Sequence, residues 1–157
     1  MTNNQIDVIL VVLQIKKDKG LKDLRAKGVV IMMLKTYKDL IAWKKSYELC
    51  KKVFLSTRSF PGNEQFSLVP QLKKSALSVP SNIAEGYVRH STQEYKRFLN
   101  IAYSSLAELE TQLFLSHDLN YFKQDEFNSI YDLHKEVQRI MFALIRSLKS
   151  SANPKIL

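Results

Sequence analysis

Apolar residues in this chain recur at alternating steps of three and four through four long segments, a spacing that confines it to amphipathic helices packed along their lengths. The first segment offers Leu40, Trp43, Tyr47, Cys50, Phe54 and Thr57, the second Leu72, Ala76, Val79, Ile83 and Gly86. The third runs through Tyr95, Leu99, Ala102, Leu106, Leu109, Leu113 and Ser116, and the fourth through Phe127, Ile130, His134, Val137, Met141, Leu144 and Leu148. Seams of this kind suit helices crossing at shallow angles. Four glycines and four prolines in 157 residues are too few for a turn-rich β architecture, so the expected class is all-α.

The punctuation agrees. Phe60-Pro61-Gly62-Asn63 breaks the first segment, and Pro70 falls in the first turn of the second, where a missing N–H costs nothing. Ser91-Thr92-Gln93-Glu94 reads as a capping box opening the third, His117-Asp118-Leu119-Asn120 closes it, and Asn153-Pro154 stops the fourth. Connections this short make neighbours antiparallel, which predicts an up-down-up-down four-helix bundle over residues 35–150 with a tail at 151–157. Pro80 is the one conflict, because in mid-helix it cannot donate to the Ala76 carbonyl and its ring crowds that turn. A bent second helix is expected, with Ser78, Ser81 and Asn82 at hand to take up freed carbonyls.

Residues 1–34 do not continue this periodicity. They hold two apolar runs, Ile6 to Ile15 and Val29 to Leu34, on either side of a lysine-rich stretch, and neither run is long enough to span a bilayer. The lysines follow the first run instead of preceding it, the reverse of a secretory signal. The segment is expected to be a disordered extension or a mis-assigned start, with translation beginning at Met32 or Met33. A single cysteine, Cys50, permits no internal disulfide and suits the cytoplasm.

The formal charge is +9, and from Lys35 onward eighteen Lys and Arg stand against twelve Asp and Glu, so the basic excess belongs mainly to the helical body. Such a balance attracts polyanions, with RNA, DNA or an acidic protein ahead of a membrane surface. Lys73, Lys74 and Arg89 belong to the second helix and its exit, and Lys96 and Arg97 to the start of the third. Arg89, Lys96 and Arg97 therefore gather with His90 at one turn, and Lys44, Lys45, Lys51 and Lys52 form another set on the first helix. These are the candidate phosphate contacts, set against the plainer reading of solvated charged faces. No sequence-reading module accompanies them, so binding is expected to be shape-tolerant and salt-sensitive.

Catalytic chemistry finds little footing. There is no phosphate-cradling glycine loop and no glycine-flanked serine, and Cys50 falls on the apolar stripe. A carboxylate-bridged metal centre in a bundle uses Glu-x-x-His, yet Tyr87, Phe114 and Tyr131 stand three residues before His90, His117 and His134. No catalytic residue, metal or cofactor is expected. Glu85 and Glu108 read instead as polar contacts near Asn82 and Ser105, and His134 as a satisfied core histidine.

The run Tyr37-Lys38-Asp39-Leu40-Ile41-Ala42-Trp43, then Phe60-Pro61, then Gln71-Leu72-Lys73-Lys74-Ser75-Ala76 leading into Ser78-Val79-Pro80-Ser81-Asn82-Ile83-Ala84-Glu85-Gly86, resembles one family, as does Ser105-Leu106-Ala107-Glu108-Leu109-Glu110-Thr111-Gln112-Leu113. It is similar to the four-helix bundle proteins encoded by intervening sequences in bacterial 23S ribosomal RNA genes, over about Tyr37 to Lys149. Val79 stands where isoleucine is common and Tyr37 where phenylalanine is. The resemblance implies a homopentamer and a distant kinship with the accessory variability protein of diversity-generating retroelements, a basic protein that binds nucleic acid beside a reverse transcriptase. Its motif residues here are Ser78, Pro80, Asn82, Glu85, Gly86, Ser105 and Glu108. The expected function is a non-enzymatic oligomer binding structured RNA or DNA, in company with a nucleic-acid enzyme and away from membranes. The alternative is a scaffold whose charge serves partner docking.

Overall fold

The computed structural model describes residues 36–89 and 91–150, side chains excepted at 147, 149 and 150. The extension at 1–34, His90 and the tail at 151–157 lie outside the described residues. Four helices and no strands are found among them: α1 is Ile41–Ser56, α2 Leu68–Val88, α3 Thr92–Asp118 and α4 Gln124–Ser150. Each helix packs on its neighbours in sequence, and α1 also packs on α4, so α1 and α3 stand across the core from one another.

The ends of the helices follow from local chemistry. A short 3-10 turn at Tyr37–Asp39 leads into α1 behind a full capping box, in which the Thr36 hydroxyl accepts from Lys38 N and the Asp39 carboxylate accepts from Thr36 N. Ser91 caps α3 by accepting from Glu94 N at 3.4 Å, while the Glu94 carboxylate turns to Arg97. At the far end of α3, Asn120 takes the left-handed conformation at φ 59°. Its N–H reaches the His117 carbonyl and the Tyr121 N–H the Ser116 carbonyl, the Schellman pattern that satisfies the last carbonyls of a helix. The Ser67 side chain makes no cap bond to α2, and Glu64 serves there instead, accepting from Leu68 N at 3.4 Å and from the Ser67 hydroxyl.

The apolar stripes read for α2, α3 and α4 are all buried, from Leu72 to Gly86, Tyr95 to Ser116 and Phe127 to Leu148. Of the stripe read for α1, Leu40, Cys50 and Thr57 are buried and the rest is displaced. Its core side is Ala42, Ser46, Leu49, Cys50 and Val53, whereas Tyr47 is 52% and Phe54 37% exposed. Trp43 is half-buried at the edge, stacked on Tyr47 at 5.0 Å and meeting Tyr37 edge-on at 5.4 Å. This helix carries two apolar stripes side by side. The one with smaller side chains turns inward, between α2 and α4.

Proline does not end α2, which continues through Pro80 with the ring buried. Around the missing backbone bond, the Ser81 hydroxyl donates to the Leu77 carbonyl and the Asn82 amide to the Ser78 carbonyl, each at 2.8 Å. Side chains thus supply donors within the turn that the proline disturbs.

Candidate nucleic-acid interface

The residues around Pro80 form a polar seam between α2 and α3. The Asn82 amide donates to Ser78 Oγ at 3.0 Å, the Ser78 and Ser105 hydroxyls are 2.8 Å apart, and Ser105 donates to the Ile101 carbonyl at 3.0 Å. Because the one Ser105 proton goes to Ile101, Ser78 must donate to Ser105, and the chain of bonds runs in a single direction from Asn82 to α3. Further along, Ser75 donates to Glu108 at 3.4 Å. Ser78, Asn82, Ser105 and Glu108 therefore join the two helices to each other.

Gly86 continues the same interface. A Cβ at that position would lie 2.7 Å from Phe98 Cβ and 3.0 Å from Tyr95 Cδ2, so only a glycine lets α2 and α3 come this close. The approach sets Phe98 beneath the exit of α2. The Arg89 guanidinium lies over its ring at 5.4 Å from the centroid and that of Arg97 at 4.6 Å. Each arginine also pairs along its own helix, Arg89 with Glu85 and Arg97 with Glu94 at 3.2 Å. Glu85 thus belongs to this surface cluster and not to the Asn82 network. Both pairs are exposed and contribute little to stability. Their effect is to hold two guanidiniums in place over Phe98.

The candidate cations do not form one patch. Arg89 and Arg97 meet over Phe98 at the α2–α3 turn, with Lys96 next to Arg97 in sequence, while Lys73 and Lys74 sit about 24 Å away along α2. Lys73 lies over the Phe54 ring of α1 at 5.6 Å, and Lys74 is exposed without an ion pair among the described residues. On α1, Lys45 is bound to Glu136 of α4 at 3.2 Å, and the hydrogen bond to that carboxylate holds its pKa above the usual lysine value. Lys52 donates to the Ser129 carbonyl at 3.2 Å. Lys44 and Lys51 point outward. The charge is also unevenly divided: residues 36–89 carry nine Lys and Arg against four Asp and Glu, and residues 91–150 seven against eight. Phe98 as an arginine platform escaped the sequence reading. Its signal was Gly86, which marks a close helix approach that has to cover something.

Elsewhere the chemistry is structural. His134 is fully buried, its Nε2 2.9 Å from the Leu106 carbonyl, and its Nδ1 has no partner among the described residues. Cys50 is buried, and burial pushes its thiol pKa up, away from nucleophilic use at neutral pH. Tyr121 donates to Glu64 at 3.0 Å, tying the loop before α4 to the loop before α2. Tyr131 donates to Glu110 at 3.2 Å, and burial followed by that bond raises its phenol pKa. Among the described residues, no three His, Cys, Asp or Glu lie close enough to hold a metal, and no helix is long and apolar enough to cross a membrane.

The family model for 23S rRNA-intervening sequence proteins matches residues 38–143. A crystal structure at 1.70 Å from Bacteroides thetaiotaomicron, of a protein described as having unknown function and belonging to the S23 ribosomal protein family, resembles this fold with a TM-score of 0.63. The two are 25% identical, over 69% of this chain and 98% of that one. No curated protein matches the chain.

Proposed function

Because the chain belongs to the 23S rRNA-intervening sequence protein family, we propose that it is a non-enzymatic, cytoplasmic homo-oligomer that holds structured RNA or DNA through phosphate contacts. The observation that carries this reading is the turn between α2 and α3, where the Arg89 and Arg97 guanidiniums both rest on Phe98 and Lys96 stands one residue before Arg97. Guanidiniums fixed in this way lose less side-chain freedom when a phosphate arrives, and their planar forks suit its oxygens. Glu85 and Glu94 offset part of the local charge, so one copy of the turn binds weakly. Several copies on one assembly raise the avidity by simultaneous engagement.

The up-down-up-down arrangement belongs to the same reading. Ser75 meets Glu108 and Ser78 meets Ser105, Lys45 meets Glu136 and Lys52 meets Ser129, and Glu110 meets Tyr131 while Leu106 meets His134. In each pair of helices one number rises as the other falls, which supports antiparallel neighbours. A pentamer is the assembly we favour. The second reading, a scaffold that docks a protein partner, draws on the same Glu85 and Glu94 pairs, which leave the arginines already partnered.

The test is binding of the full chain to labelled structured RNA and duplex DNA over a salt series, with Lys96→Glu/Arg97→Glu beside it. The expected result is log affinity falling linearly with log salt, and a shallower slope, by about one per lost phosphate contact, in the variant. Absence of binding at low salt would overturn the nucleic-acid reading in favour of the scaffold.

A further inference from the structure

Among the described residues, two largely exposed helical stripes differ in charge. On α1 and the turn after it, Lys44, Tyr47, Glu48, Lys51, Leu55 and Arg58 face outward beside Phe54, Glu48 being paired with Lys45 at 3.7 Å. Three basic residues recur there every seven positions between exposed apolar side chains. On α3, Ile101, Ser104, Glu108, Thr111, Leu115 and Asp118 are all exposed and follow one another at steps of three and four. From Phe98 to Asp118, α3 holds three acids and no lysine or arginine. Ile101 is 38% exposed and Leu115 49%, so this stripe is also partly apolar.

We infer that the α1 stripe of one copy packs along the α3 stripe of the next, and that this contact builds the homo-oligomer. The inference rests on the oligomer reading above and specifies its interface. A second copy of this chain is the occupant because the α1 stripe is net basic, with Lys44, Lys51 and Arg58 against Glu48, and the α3 stripe net acidic, with Glu108 and Asp118 against Arg97. Lysines and an arginine meet carboxylates, and Tyr47, Phe54 and Leu55 find room over Ser104, Thr111 and the short side chain of Ala107. The three-and-four spacing on both helices allows the side chains to interlock as they do between helices of a coiled coil. Since α1 and α3 stand across the core from one another, the two stripes face away from each other. One copy therefore joins a different neighbour on each side. A contact between unlike faces closes into a ring when its rotation permits, and otherwise extends into a filament. Glu108 also accepts from Ser75 at 3.4 Å, which orients its carboxylate on the α3 surface. Arg97 stands four residues before Ile101 at the head of the α3 stripe, whereas Arg89 lies on neither stripe.

The experiment is the solution mass of the full chain by sedimentation, for the wild type, Lys44→Glu/Lys51→Glu, Glu108→Lys/Asp118→Lys and the variant combining all four changes. All four positions are exposed, but Glu108→Lys also removes the acceptor of Ser75, so helical content and the thermal midpoint are followed by circular dichroism throughout, and Asp118→Lys alone, which leaves that bond in place, is expected to weaken association in the same direction. Each double variant places like charges opposite one another and is expected to weaken association by about a hundredfold or more. The combined variant restores opposite charges and is expected to recover the wild-type mass. If the wild type is a monomer at every concentration, the oligomer reading and this one both fall. If the double variants keep the wild-type mass, the oligomer stands and these faces do not build it. If both doubles are monomeric and the combined variant stays so, the pairing of these two faces with each other is overturned.

Discussion

Adding one methyl group at Gly86 measures how closely α2 and α3 must approach. In Gly86→Ala the new Cβ would stand 2.7 Å from Phe98 Cβ, 3.0 Å from Tyr95 Cδ2 and 3.3 Å from the Tyr95 carbonyl oxygen. Phe98 Cβ and the Tyr95 carbonyl are tied to the α3 backbone, so a side-chain rotation cannot clear them and the helices must separate. Overpacking of this kind costs about 1–3 kcal/mol, and an obstacle made of backbone-linked atoms puts this case near the upper end. Alanine regains about 1 kcal/mol of helix propensity over glycine, which leaves a net loss of about 2 kcal/mol. At about 4 °C per kcal/mol for a domain of this size, the midpoint of thermal unfolding should fall by about 8 °C. Separation would also lift Phe98 away from Arg89, so polyanion affinity should weaken with the Tm. Gly62→Ala is the control: a Cβ there meets nothing within 4 Å, and no glycine among the described residues has a positive φ. It should leave the Tm unchanged or raise it slightly. An unchanged or higher Tm for Gly86→Ala would refute the close-approach account.

Three other groups make separate predictions. Hydrogen bonds from the Ser67 hydroxyl, the Tyr121 phenol and the Leu68 N–H hold the Glu64 carboxyl below the usual carboxylate range. Its contribution is therefore complete above the unfolded pKa of about 4.3 and disappears as pH falls through the lower folded value. Glu64→Gln should flatten the acid limb of a stability-against-pH curve, and superimposable limbs would count against those bonds. Cys50 should resist a thiol-specific reagent at neutral pH until the chain is unfolded, because it is buried and its pKa is raised. Rapid stoichiometric labelling of the native protein would contradict that burial. His134→Leu should cost less than about 1 kcal/mol or even stabilise the fold, because it removes a buried Nδ1 that has no partner among the described residues while the Leu106 carbonyl keeps its helical bond. A loss above about 2 kcal/mol in denaturant unfolding would mean that the imidazole is bonded at both nitrogens.

The four helices were legible in the sequence because a side chain's place around a helix depends only on its number. In α2, α3 and α4 every residue of the stripe read from the period is buried, down to Gly86, Ser116 and His134, although Val69, Phe98, Leu133 and Ile145 beside it are buried too. The breaks at Pro61-Gly62 and at Asn120 were legible for the same local reason. The ion pairs Glu85–Arg89 and Glu94–Arg97 are also matters of spacing along one helix. Local rules were insufficient on α1, where two apolar stripes lie side by side. Hydrophobicity favoured Trp43, Tyr47 and Phe54, but the space available between α2 and α4 favoured Ala42, Ser46, Leu49 and Val53. Nor does any spacing rule join Arg89 to Phe98 across a turn, Ser78 to Ser105 across an interface, or Lys73 to Phe54 on the next helix. Those contacts depend on how far apart two helix axes settle, which is decided by the side chains packed between them all together.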